Sequence, residues 1–226
     1  MEIYAEFTPQ KSLMSTRDRA AKLGDYDGFD IPHSPLGLPS MLPVAIACSL
    51  RDAGYNKKII LNQRLSDVNE LFIRSLVITA KALGADLAFT IGDAPKFGEP
   101  VNHLDSEGAL KITKTIDKGV KVGLFISLRH SREKVLSRLN SEADFFLTMR
   151  VNRVEDLTNL TTNKMIVYVL ISTERNKNLL GSIGQPSVTL SELGDFMSSL
   201  RATRVAGALL SAPADDEALF QAFKYI

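Results

Sequence analysis

Cysteine, histidine and net charge are all scarce in this chain, and each scarcity removes a class of function. The single cysteine, Cys48, cannot form an internal disulfide, and its apolar surroundings read as those of a small core residue rather than a nucleophile. That usage favours a cytoplasmic protein. His33, His103 and His130 are the three histidines, and their scatter lacks the spacing of a zinc site, so no metal is expected. Lys+Arg 27 against Asp+Glu 26 leaves a formal charge of +1, too little to draw in nucleic acid or anionic lipid; an anionic ligand must be held by local groups. No apolar run approaches the ~18 residues a membrane span needs, and the first residues have neither the basic segment nor the apolar core of a signal peptide. No GxGxxG follows the first apolar run and no GxxxxGK[ST] occurs, which takes support from ordinary dinucleotide and P-loop readings.

What is present is 226 residues, 45% of them hydrophobic, ample for a substantial core. Short apolar runs recur along the whole length: Ile3 to Phe7, Tyr26 to Ile31, Lys58 to Leu61, Leu87 onward, Val120 to Ile126, Asp144 to Thr148, Met165 to Ile171 and Arg204 to Leu210. Helix-compatible segments separate them. The clearest begins near Asp67, read as its cap with Glu70 reciprocating, and carries Val68, Phe72, Leu76, Ala80 and Leu83 as one stripe before Gly84. A second capping box, Thr189 to Glu192, opens a helix with Leu193, Phe196, Met197 and Leu200 inward. Eight strand–helix units averaging about 28 residues over the chain predict a single-domain (β/α)8 TIM barrel, with an open doubly wound sheet as the rival.

In such a barrel, ligands bind where the strands end. The candidate rim is Glu6, Asp30, Asn62, Arg64, Asp93, Arg129, His130, Thr148, Met149 and Ser172. Asp93 follows an apolar run stopped by Gly92 and Pro95, which delivers its carboxylate to the mouth. Glu6 ends the first strand; there a partly desolvated carboxyl suits proton donation, the alternative being a salt-bridged structural Glu. His130 reads either as a site residue or as a solvated loop histidine. Gly181 to Gly184, after the seventh strand, reads either as a phosphate cradle or as a simple turn.

Glu6-Phe-Thr-Pro9, Arg64 through Asn69, Gly84 through Gly92-Asp93-Ala-Pro95, and Ala143 through Thr148 together resemble the methylenetetrahydrofolate reductase family, a flavin-dependent barrel. The likeness is best from residue 28 to 107. It implies reduction of a methylene group on a tetrahydrofolate-type pterin to methyl, through FAD or FMN reduced by NAD(P)H. Within that resemblance Glu6 matches the acid that protonates the pterin nitrogen, and Asp93 the carboxylate beside the flavin and the folate. Asn62 falls where relatives carry a flavin-contacting histidine, and Arg138 where a lysine meets the cofactor phosphates. Arg64, Gly92 and His130 join the expected flavin contacts. Met149 replaces the glutamine that reads the pterin, and Leu210-Ser-Ala-Pro213 lacks the aromatic and arginine that relatives carry.

Three alternatives accompany this reading. A flavin-free reductase would pass hydride directly from the nicotinamide. A non-catalytic pterin- or flavin-binding subunit would depend on a partner. A sugar-phosphate barrel enzyme would use Glu6 or Asp93 as base. An electron-donor protein and self-association through exposed helix faces complete the partners expected.

Overall fold

The computed structural model describes residues 1–10 and 12–226. The chain alternates β1 (Glu2–Glu6), α1 (Leu13–Lys22), β2 (Gly28–Pro32), α2 (Pro43–Asp52), β3 (Lys58–Arg64), α3 (Glu70–Leu83), β4 (Asp86–Thr90), α4 (Ser106–Ile116), β5 (Val122–Ser127), α5 (Arg132–Leu139) and β6 (Phe145–Met149). A 3-10 turn at Val154–Leu157 leads to β7 (Met165–Ser172), α6 (Lys177–Ile183), β8 (Ser187–Thr189), α7 (Leu190–Ala202), β9 (Gly207–Ser211) and α8 (Asp216–Gln221). Strands β1 to β7 and β9 pair in parallel with their neighbours, and β1–β9, β7–β9 and β6–β7 pairing closes the ring. The expected (β/α)8 barrel is the fold.

Closure turns period-two alternation into two cores. Ile3, Ala5, Phe29, Ile31, Leu61, Phe89, Leu124 and Val167 face out and pack under the helices. Tyr4, Ile60, Ala88, Phe145, Leu147, Ile166 and Leu209 face in and fill the lumen. Two rings floor that lumen because glycines make room for them. A Cβ on Gly28 would lie 2.7 Å from the Lys58 carbonyl and 2.9 Å from the Tyr4 ring, and one on Gly123 would lie 2.1 Å from the Phe145 ring. These rings separate a charged cluster at the amino ends of the strands, where Lys58 pairs with Glu2, from the polar groups at the carboxyl ends.

Strand β8 departs from the simple pattern. Leu170 pairs with Ser187 on one side and Ser211 on the other, while β6 pairs with β7 only as far as Thr148 and Val167. So β8 lies on the β6 side of β7 and extends the sheet where β6 stops pairing. The segment read as a glycine loop is α6: Gly181 is helical, and Gly184 ends it at φ 60 with its N–H donated to the Leu180 carbonyl. That N–H is spent, which removes the support for a phosphate cradle there.

Two helix details also differ from the sequence reading. Asn69, not Asp67, caps α3, its Oδ1 accepting from the Phe72 N–H at 3.1 Å, because Asp67 is drawn to Arg64. The buried stripe is Ile73, Leu76, Val77 and Ala80, with Phe72 left 36% exposed. The Thr189 capping box is present as expected. Cys48 is exposed, since Pro43, Ile46, Ala47 and Leu50 form the inward face of α2; it is not the core residue its neighbours suggested.

Gly28→Ala is predicted to cost about 1–3 kcal/mol, because its methyl meets backbone that cannot yield. Urea unfolding of the variant and the wild type, compared at the midpoint, measures it.

Candidate functional site

Above the apolar floor the inward positions become polar. Glu6 and Asp30 stand opposite one another in the β1–β2 register. The Glu6 carboxylate accepts hydrogen bonds from two hydroxyls, Tyr168 on Oε1 and Ser211 on Oε2. Ser211 reaches it from β9, which pairs with β1, and Tyr168 from β7 on the far side of β9. Asp30 is wholly buried; its Oδ2 takes a long bond, 3.4 Å, from the Asn62 amide on β3, and its Oδ1 has no partner. Burial raises the Asp30 carboxyl well above the usual carboxylate range, and the Glu6 charge beside it adds to the shift, against a smaller opposing effect of Asn62. Burial and the same two carboxyls keep the Tyr168 hydroxyl protonated.

A second network locks the adjoining rim. Arg64, at the end of β3 and 4% exposed, donates from Nε to Asp67 Oδ2 at 2.6 Å, and from Nη2 to Asp67 Oδ1 at 3.2 Å and the Asp93 carbonyl at 2.6 Å. Gly92, at φ 87, lets the loop lie against that guanidinium, whose Cζ would be 2.9 Å from a Cβ at that position. The neighbouring His33 ring shares a 3.0 Å bond with the Gln63 amide; burial lowers its basicity, with Asp67 opposing and Arg64 reinforcing the shift.

The predicted site residues therefore divide. Glu6, Asp30 and Asn62 form one lumen cluster. Arg64 and the Gly92–Asp93 turn form the clamp beside it, with the Asp93 carboxylate on an exposed stretch. Met149 ends β6 opposite Ser127, half-buried and in phase with lumen-facing Phe145 and Leu147. His130 lies exposed in the turn after β5, its N–H bonded to the Ser127 carbonyl at 3.1 Å. Arg138, in the last turn of α5, pairs with Glu107 at 3.4 Å in the outer helical layer. Sequence reasoning missed Tyr168 and Ser211. The parity of Tyr168 with Ile166, and of Ser211 with Leu209, points both into the lumen and was the available signal.

Three of the residues assigned to a flavin are bonded within the chain. The Asn62 amide is turned to Asp30, the Arg64 guanidinium to Asp67 and Asp93, and Arg138 to Glu107. Among the described residues, no three His, Cys, Asp or Glu side chains are grouped to hold a metal, and no helix is long and apolar enough to cross a membrane.

Neither a protein-family model nor a curated protein sequence matches this chain. Solved structures do share its fold. An uncharacterized protein from Clostridium thermocellum that binds two copies of 5-methyl-5,6,7,8-tetrahydrofolic acid superposes with a TM-score of 0.64 at 14% identity, over 99% of this chain and 95% of the other. A 2,3-dimethylmalate lyase gives 0.57 at 10% identity, covering 99% and 79%, and the thiamine phosphate pyrophosphorylase of Pyrococcus furiosus gives 0.52 at 14%, covering 99% and 94%. At these identities the likeness establishes the barrel.

Asp30 also has a thermodynamic signature. Above the ordinary carboxylate pKa of about 4, and up to the raised native value, the folded chain holds a proton that the unfolded chain has released. Stability therefore falls as pH rises through that window. Asp30→Asn is predicted to remove this fall, so that the variant gains stability relative to the wild type between acid and neutral pH in a series of urea titrations.

Proposed function

We propose that the chain binds a tetrahydrofolate-type pterin over the open end of the barrel and reduces the methylene group it carries to methyl. The observation that carries this is the Glu6 carboxyl, placed at the mouth by β1 and oriented by hydroxyls from two other strands. A barrel of the same fold binds a methylated tetrahydrofolate, which supports the ligand class. The sequence resemblance supports the reaction.

Each group then has a defined task. Glu6 gives a proton to the pterin nitrogen that shares the methylene carbon. The carbon–nitrogen bond breaks with its electron pair on that nitrogen, leaving a cationic iminium at the other. A reduced nicotinamide delivers hydride to the carbon, giving the methyl group and the oxidised nicotinamide. This donor is preferred to a flavin because Asn62, Arg64 and Arg138, three of the groups assigned to the flavin, are bonded within the chain. Tyr168 and Ser211 fix the direction of the acid, which matters because proton transfer demands hydrogen-bond reach. The thioether of Met149 offers the ring a polarizable apolar contact in place of hydrogen bonds. The Asp93 charge, just past β4, is available to the iminium cation at the open mouth.

Calorimetric titration with 5-methyltetrahydrofolate tests the site, and oxidation of NADH or NADPH by methylenetetrahydrofolate tests the reaction, each with and without added FAD. Glu6→Gln is predicted to lower kcat by about 10²–10⁴-fold while changing pterin affinity only a few-fold. Binding without turnover would replace the enzyme by the non-catalytic subunit. Full activity in Glu6→Gln, or turnover only with FAD, would overturn the scheme.

A further inference from the structure

We infer that Asp30 stores the proton that Glu6 delivers, the two carboxyls holding one proton between them. The inference rests on the pterin-reductase reading for its use, but its physical basis is independent of any ligand. Glu6 and Asp30 are register partners on β1 and β2, strands about 4.8 Å apart, and both side chains point into the lumen. The groups facing the pair are Asn62 from β3, Tyr168 from β7 and Ser211 from β9, all uncharged as placed. No cation among the described residues pairs with either carboxyl.

The two acids are served very unequally. Glu6 receives a hydroxyl on each oxygen, an arrangement that suits a carboxylate. Asp30 has no exposure, one long amide contact and a bare Oδ1, an arrangement that suits a neutral acid. Two like charges side by side in a water-poor lumen are costly together, so the pair holds one proton, and the unequal hydrogen bonding places it on Asp30. In turnover the one proton passes from Asp30 to Glu6 and from Glu6 to the pterin nitrogen, the iminium cation offsets the second negative charge this leaves on the pair, and solvent returns one proton to the pair after product leaves. One proton is consumed per hydride transferred. Asp30 acts through Glu6 and does not touch the pterin.

The test is infrared spectroscopy of the ligand-free chain in water and in D2O. A protonated-carboxyl stretch at about neutral pH, shifted by D2O and missing from Asp30→Asn, is expected. Its absence from the wild type, or its survival in Asp30→Asn, overturns the inference. Should Asp30→Asn fail to fold, carbon-13 NMR of aspartate-labelled wild type decides: the Asp30 carboxyl carbon is expected at its protonated position at neutral pH, and an ionised position overturns the inference. In turnover, Asp30→Asn is expected to move the alkaline limb of the kcat profile down by about one pH unit, about tenfold in rate on that limb, with KM little changed; an unmoved limb counts against the proton store. The spectroscopic result stands whether or not the chain reduces a pterin, so the two readings fail separately.

Discussion

Two carboxyl groups placed side by side over an apolar floor, without a cation among the described residues to neutralise them, constrain everything at this end of the barrel. Such a pair is costly if both members are ionised in poorly solvated surroundings. The structure answers with unequal solvation: two hydroxyls on Glu6, and near-complete isolation for Asp30. Tyr4 and Phe145 are part of that answer. They fill the lumen beneath the pair, over glycines that leave space for their rings, and so exclude water from below.

Beside the pair, the Arg64 clamp performs a different task. A buried guanidinium needs its donors satisfied, and Asp67 and the Asp93 carbonyl satisfy three of them. The same bonds hold the β4 exit against β3, so the loop carrying Asp93 is anchored through its backbone while its carboxylate stays exposed. The clamp explains why Gly92 precedes the acid, and why Asp67 is not free to cap α3.

Much of the fold was legible because each strand carries its own alternation or apolar run and each major helix its own start or stop. The Thr189 capping box and Gly84 are local signals and stand where they were read. The misread elements have longer-range causes. Phe72 and Ile73 are adjacent apolar residues at the start of α3, and only packing against the barrel decides which is buried. Cys48 sits beside Ile46, Ala47 and Leu50, which take the buried face of α2 and leave it the exposed one. Strand β8 is three residues long and exists because β6 stops pairing with β7, which no local pattern encodes.

The sequence by itself determined that this chain alternates strands and helices, since propensity, periodicity and capping act over a few residues and accumulate along the chain, while closure into a ring rather than an open sheet is seen only in the strand pairing. It also placed Glu6, Asp30 and Asn62 at strand ends. Only the tertiary structure decided which of them share an environment. Ring closure brings Tyr168 and Ser211, 162 and 205 residues away, onto the two oxygens of Glu6. Burial and electrostatic coupling are properties of that assembled lumen, not of any segment, and they raise the Asp30 carboxyl well above the usual carboxylate range.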